Sequence, residues 1–439
     1  MPKVYVLGAG VDATQGIGMP LTNEILPRIT AFLETNEGKE LDSKLRQIYP
    51  QLKFHFSKFI EKSIDNMARN FSREVRTVMN NVQVEIDNNE NLTEEEQKLG
   101  RLITLLMTKV SNMANGAQLD EETVQLIEEV FGNDIPVIDE SIIDLNKVVF
   151  TTTFQTVVKQ LLTKSLQEPN HPILRHLNKN FLDIEKLLAQ YFLGFFTKDV
   201  YDIKLYSYIS WMLWAYMLKC EQEIINSKTP EELLAMPVYS QLEADSTVIT
   251  FNYTTFAKMS VDVNHGCEAL YFHGSLLDYL DIKRREDFVH NINGFNHLSP
   301  LDFFENNLRN NVSFAEDNLQ YTIPSFMPPV IIKPVLTQKN IETWYLSSQR
   351  LQNADKIVII GYSFNSSDEH FNGMLKSCRD KEVYIIDDNV ESVKQMIQTI
   401  YDIQPADYHR QRLQEHDSFV HRNITIIKAK AHEIDYTQL

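Results

Sequence analysis

The sequence predicts an α/β protein, one doubly wound parallel sheet carrying a large all-α insertion, and three observations lead there. Short β-branched runs lie at Lys3–Leu7, Thr247–Phe251, Ala269–Phe272, Val330–Ile332, Lys356–Ile360 and Glu382–Ile386. Helix-period patterning at three- and four-residue steps fills the long interval between the first run and the second. Four of the five runs after residue 245 end in small or polar residues, and an open parallel sheet places its ligand site at its strands' carboxyl ends.

The first run stops at Gly8-Ala9-Gly10, where a strand gives way to a tight loop. Gly8-x-Gly10-x-x-Ala13 fits the relaxed dinucleotide fingerprint of a Rossmann-like sheet, in which glycine lets the backbone approach a pyrophosphate. Gly16, Gly18 and Pro20 fall where a phosphate-binding helix should already run, so a long punctuated loop is expected instead. From about Leu21 the texture is helical. Phe56, Ile60, Ile64, Met67 and Phe71 keep the period, as do Leu102, Leu105, Leu106, Val110 and Met113, and Phe150, Phe154, Val157, Leu161 and Leu162. Asp87–Asn91 is a polar break, and Thr93 with Glu96 spells a capping box.

The later strand runs lead into Asn252-Tyr253-Thr254, His273-Gly274-Ser275, Gly361-Tyr362-Ser363 and Asp387-Asp388-Asn389. Helices are expected at Asp368–Cys378 and Val390–Tyr401, closing strand-helix-strand units. At 439 residues the chain exceeds the ~100–200 of one domain. The expected division joins 1–50 with 236–439 as the sheet domain, places a small irregular insertion at 276–328, and gives 51–235 to the helical insertion. That insertion offers more apolar stripes than capping one sheet requires, which predicts a homo-oligomer or a docked partner.

Composition narrows the function classes. Hydrophobic residues at 43% and charged residues at 23% exclude a disordered or fibrous chain. Forty-two Lys and Arg against 60 Asp and Glu leave a net charge of −18, which repels a phosphate backbone, so no direct nucleic-acid binding is expected. Cys220, Cys267 and Cys378 contain no C-x-x-C pair and build neither a disulfide framework nor a zinc ribbon. His265 and Cys267 lie too close together for a tetrahedral set, so no metal is expected. The opening apolar run is too short for a signal peptide, and the uncharged stretch Leu205–Leu218 falls short of the ~18 residues that span a bilayer. A soluble cytoplasmic chain with no membrane contact is the expectation. Trp211, Trp214, Tyr206 and Tyr216 read as core, Cys378 as a buried thiol, and His409, His416 and His421 as a solvated face.

Four motifs now stand in order: Gly8-Ala9-Gly10 with Gly16, Gly18 and Pro20; Thr250-Phe251-Asn252-Tyr253; Phe272-His273-Gly274-Ser275; and Ile360-Gly361-Tyr362-Ser363-Phe364 with Asp368. Together, over residues 1–30 and about 245–400, they resemble the sirtuin-like NAD hydrolases of prokaryotic anti-phage defence. The resemblance implies cleavage of NAD+ to nicotinamide and ADP-ribose as an abortive-infection response. NAD+ is then the substrate, and one subgroup works with a HerA-type hexameric ATPase partner. Three cysteines cannot assemble the four-cysteine zinc module of sirtuin deacylases, which disfavours deacylation. Two further departures are Asp12, where that family often has serine, and Thr254, where an acidic residue is common.

By the same resemblance His273 is the base and Asn252 holds the nicotinamide ribose or the attacking water. Cofactor contacts are expected from Gly8, Ala9, Gly10, Asp12, Gly18, Pro20, Thr250 and Gly274. Gly361 and Ser363 stand at a helix start, and Asp387 is placed for the adenosine ribose. The chemistry is consistent: the nicotinamide leaves neutral, so the site needs positioning, charge stabilisation of an oxocarbenium-like sugar and a base. The alternative expectation is a non-catalytic NAD or ADP-ribose sensor, or a scaffold subunit of a defence complex.

Overall fold

A computed structural model of the chain describes residues 3–58, 72–89, 92–111, 121–131, 142–145, 148–168, 170–182, 184–263, 267–290, 297–315, 318–327 and 337–439. The chain forms two compact units, residues 1–21, 35–52 and 188–439, and residues 22–34 and 53–187. The stretch 188–235 therefore goes with the sheet, whereas the sequence texture groups it with the helical insertion.

The first unit is built on eight strands: β1 (Lys3–Leu7), β2 (Thr247–Thr250), β3 (Glu268–Tyr271), β4 (Lys356–Ile360), β5 (Glu382–Asp387), β6 (His409–Leu413), β7 (His416–His421) and β8 (Ile424–Lys428). Their order across the sheet is β6-β7-β8-β5-β4-β1-β2-β3. The ladders from β8 through β3 are parallel, while β7 runs antiparallel to both β6 and β8. The chain adds β2 and β3 on one side of β1, then crosses to add β4 and β5 on the other, so the direction of growth reverses between β1 and β4. Every residue of β1 and β2 is buried, as is β4 from Ile357 onward. Strands covered on both faces need apolar residues at successive positions, not alternate ones, which is why these runs were visible in the sequence.

The C-terminal histidines are exposed or half-buried, as a solvated face requires, and they sit on strands β6 and β7; Ile424-Thr425-Ile426-Ile427 supplies the β-branched strand that β7 pairs onto. The segment 276–328 is not irregular: Asp278–Asp281, Glu286–Val289 and Thr322–Pro324 form an antiparallel sheet, and Pro300–Phe303 opens a helical stretch capped by the Ser299 side chain. The long helix Val200–Ser227 lies against this sheet, with Trp211 Nε1 donating to the Thr322 carbonyl at 2.9 Å and Trp214 Nε1 to the Leu276 carbonyl at 3.0 Å. Burial all round explains its uncharged middle. Among the described residues no helix is long and apolar enough to cross a membrane.

The second unit is not wholly helical either. Ile142–Leu145 and Val148–Thr151 form an antiparallel hairpin, so Phe150 is on a strand and the helix starts at Thr152. The β-branched pair Val148-Val149 favours that choice. Helices Ser72–Asn88 and Glu94–Ser111 flank the polar break, and the Thr93–Glu96 capping box forms in both directions. The run Val330–Ile332, the residues Ile60, Ile64, Met67, Phe71 and Met113, and His265 lie outside the described residues.

Candidate functional site

The carboxyl ends of β1, β2, β3, β4 and β5 share one edge of the sheet, because all five run parallel. Gly8 ends β1 and a single helical turn, Ala9–Asp12, begins at once. Gly16 and Gly18, both at positive φ, then carry the chain around, so the loop is long and punctuated as its glycines predict. Gly8, Gly10 and Gly361 are all present for one reason: the loops after β1 and β4 cross in backbone contact. A Cβ on Gly8 would lie 2.3 Å from the Gly361 carbonyl oxygen, and one on Gly361 would lie 2.7 Å from Gly10 Cα. The Gly8 amide donates to the Ile360 carbonyl at 2.9 Å and the Gly10 amide to the Gly361 carbonyl at 3.1 Å. Both are thereby spent on protein, and a pyrophosphate would have to meet other donors.

Asn252 lies two residues past the last paired residue of β2, and His273 two past the last of β3, where Thr250 faces Tyr271 in register. The Asn252 carboxamide donates from Nδ2 to the Gly8 carbonyl at 3.0 Å, which fastens it to the glycine loop. Thr250, buried, does not face outward; its Oγ1 accepts from the Asn252 amide at 3.1 Å. The His273 ring meets the Phe251 ring edge-on at 4.8 Å, and its Nε2 lies 2.8 Å from Asp368 Oδ1. The two atoms are close but not aligned as a hydrogen bond, so the contact is electrostatic. Asp368 Oδ2 accepts from Tyr362 OH at 3.3 Å, and burial followed by this carboxylate holds the Tyr362 hydroxyl well above its ordinary range. Position 274, at φ +85°, admits only glycine, because any Cβ there would overlap the Ser325 carbonyl oxygen.

Asp12 turns away from the loop surface. It is 3% exposed and accepts from Tyr239 OH at 2.5 Å and from the Thr254 hydroxyl. Burial without a cation pushes its carboxyl up to about 6. Beside it, fully buried Glu221 of the long helix accepts from the Thr255 amide at 3.0 Å and from the Thr255 hydroxyl, and burial pushes it up to about 7, with the Asp12 charge adding to the rise. The two carboxylates thus hold Thr254 and Thr255, the residues directly after Asn252 and Tyr253.

Compared with protein-family models, with curated proteins and with solved structures, the chain matches none. The site must therefore be read from its own geometry.

Ala9, Gly18 and Ser363 are exposed at this edge, Gly10 and Gly361 are half-buried, and Pro20 is buried. Asp387 stands beside Gly361, whose amide donates to the Ile386 carbonyl at 3.0 Å; its Oδ1 accepts from the Asn389 amide at 2.8 Å, and burial raises its carboxyl. Sequence reasoning missed three things: the contact of Asp368 with His273, the burial of Glu221, and a tie from Thr14 Oγ1 to His432 Nδ1 at 2.7 Å that fixes the glycine loop. None has a local sequence signal. No group of three or more His, Cys, Asp or Glu side chains fit to hold a metal occurs among the described residues. Cys378 is fully buried, its Sγ 3.4 Å from the Met374 carbonyl.

Proposed function

We propose that the chain is an NAD+ glycohydrolase on a doubly wound, Rossmann-like sheet, cleaving NAD+ to nicotinamide and ADP-ribose. One observation carries the reading: a carboxamide fastened to the glycine loop and an imidazole stand at equivalent positions past two adjacent strands, on the edge where a parallel sheet binds ligands. Asn252 Oδ1 has no partner among the described residues and can accept from a ribose hydroxyl or a water. His273 then removes the proton of that water as it adds to the ribose carbon and the bond to the nicotinamide nitrogen breaks. Asp387 and the exposed Ser363 are the contacts proposed for the adenosine half. An unrestrained enzyme of this kind would exhaust its host's NAD+, so the reading includes silencing by self-assembly or by a HerA-type ATPase partner during anti-phage defence.

The test is direct. The purified chain incubated with NAD+, alone and with its candidate partner, releases nicotinamide and ADP-ribose, separated by liquid chromatography. His273→Ala and Asn252→Ala each lower the rate at least ~10²-fold. Full turnover in His273→Ala removes the assignment.

A second reading, a silent NAD or ADP-ribose sensor or scaffold subunit, is favoured by the spent amides of Gly8 and Gly10. Thermal stabilisation by NAD+ without release of nicotinamide would establish it.

A further inference from the structure

The geometry points to Asp368 as the residue that positions His273, an inference that rests on reading His273 as the base. His273 Nε2 and Asp368 Oδ1 are 2.8 Å apart, and both atoms are sealed from solvent. Among the described residues the ring makes no hydrogen bond. Its walls are the edge contact with Phe251 and the tilted ring of Phe272 at 5.8 Å, while the Met327 amide holds the His273 carbonyl at 3.0 Å. Among the described residues Asp368 is the charged group in contact with it, with the Tyr362 hydroxyl on that carboxylate's other oxygen, and the His370 ring lies tilted against Trp344 instead.

An Nε2 lone pair this close to a buried carboxylate would be repelled, so Nε2 must carry the proton and Nδ1 the lone pair. Nδ1 is not among the sealed, unpartnered atoms, so the free lone pair lies on the side of the ring that solvent reaches. During cleavage the water proton passes to Nδ1, the water oxygen bonds the ribose carbon, and nicotinamide leaves with the electron pair of its glycosidic bond. Asp368 stabilises the imidazolium so formed, without itself taking a proton. The carboxylate acts through the histidine and touches no substrate.

The test uses the full chain labelled with 13C and 15N at histidine, with His273→Gln to assign the signal, at pH 8. Wild type is expected to show His273 protonated at Nε2. Asp368→Asn presents an amide donor to Nε2 and should move the proton to Nδ1, lowering kcat for nicotinamide release on the order of 10²-fold or more with KM changed less than about twofold. Asp368→Glu should restore part of kcat. A wild-type proton on Nδ1 overturns the proposal without any variant, as does an unchanged tautomer in Asp368→Asn. If the tautomer switches but wild type releases no nicotinamide, the positioning role stands and the glycohydrolase reading falls.

Discussion

Replacing Asp12 by Asn tests the most unusual electrostatic feature of the fold, two buried carboxyls without a cation. Asn is nearly isosteric: its carbonyl can accept from Tyr239 OH, and its amide can donate to the Thr254 oxygen. What changes is the proton. Asp12 rises from 3.8 to about 6 on folding because burial disfavours the charge. Between those pH values the folded chain binds more protons than the unfolded one, so this contribution to stability is full below 3.8 and is lost as pH rises through about 6. At ~1.4 kcal/mol per tenfold change in proton concentration the whole span is on the order of 3 kcal/mol, of which about 2 falls between pH 4.5 and 7.5. Asn does not titrate. Paired thermal melts should therefore show Asp12→Asn gaining on wild type by roughly 4 °C from pH 4.5 to 7.5, at ~2 °C per kcal/mol for a chain this large. Taking the difference cancels the other titrating groups except Glu221, which ionises more easily once its charged neighbour is gone. A gap that stays constant, or closes as pH rises, refutes the claim that Asp12 is buried uncompensated.

The remaining predictions concern the loops and the chemistry. Gly8→Ala should cost about 3 kcal/mol or more in urea unfolding, because its Cβ meets main-chain atoms of Gly361 and Tyr362 that cannot step aside. Gly18→Ala should cost only ~1 kcal/mol, since nothing lies within 4 Å and only its positive φ objects; equal costs would show that the two loops do not cross. Asp12→Ser leaves Tyr239 without its acceptor, and Thr254→Asp sets two carboxylates face to face. The double variant restores one acid and one hydroxyl, so its stability should exceed the sum of the singles by ~1.5–3 kcal/mol, and simple additivity would refute the pairing. Nicotinamide release, lost in His273→Ala, and the His273 tautomer, reversed in Asp368→Asn, are the chemical counterparts.

What the sequence revealed follows from what each residue experiences. β1 and β4 were legible at both ends because burial on two faces demands consecutive apolar residues. The helix Val390–Tyr401 was legible because its apolar stripe repeats and Asn389 caps it, accepting from Ser392. β6 was not, because an exposed edge strand, His409-Arg410-Gln411-Arg412, has no reason to look apolar and good reason to carry charge. Asn252 and His273 were visible because they punctuate strand ends. Asp368 was visible as the end of the fourth motif and near a helix start, but its contact with His273 was not, since that depends on how loops after different strands meet. The sharpest case is Asp12 and Thr254. In sequence they are two separate departures from the pattern the chain resembles, 242 residues apart, each weakening the resemblance. In space they are the two ends of one hydrogen bond, with the carboxylate where the pattern often has a hydroxyl and the hydroxyl where it often has a carboxylate. That bond anchors Thr254, two residues past Asn252, so the two departures together help hold the Asn252 loop.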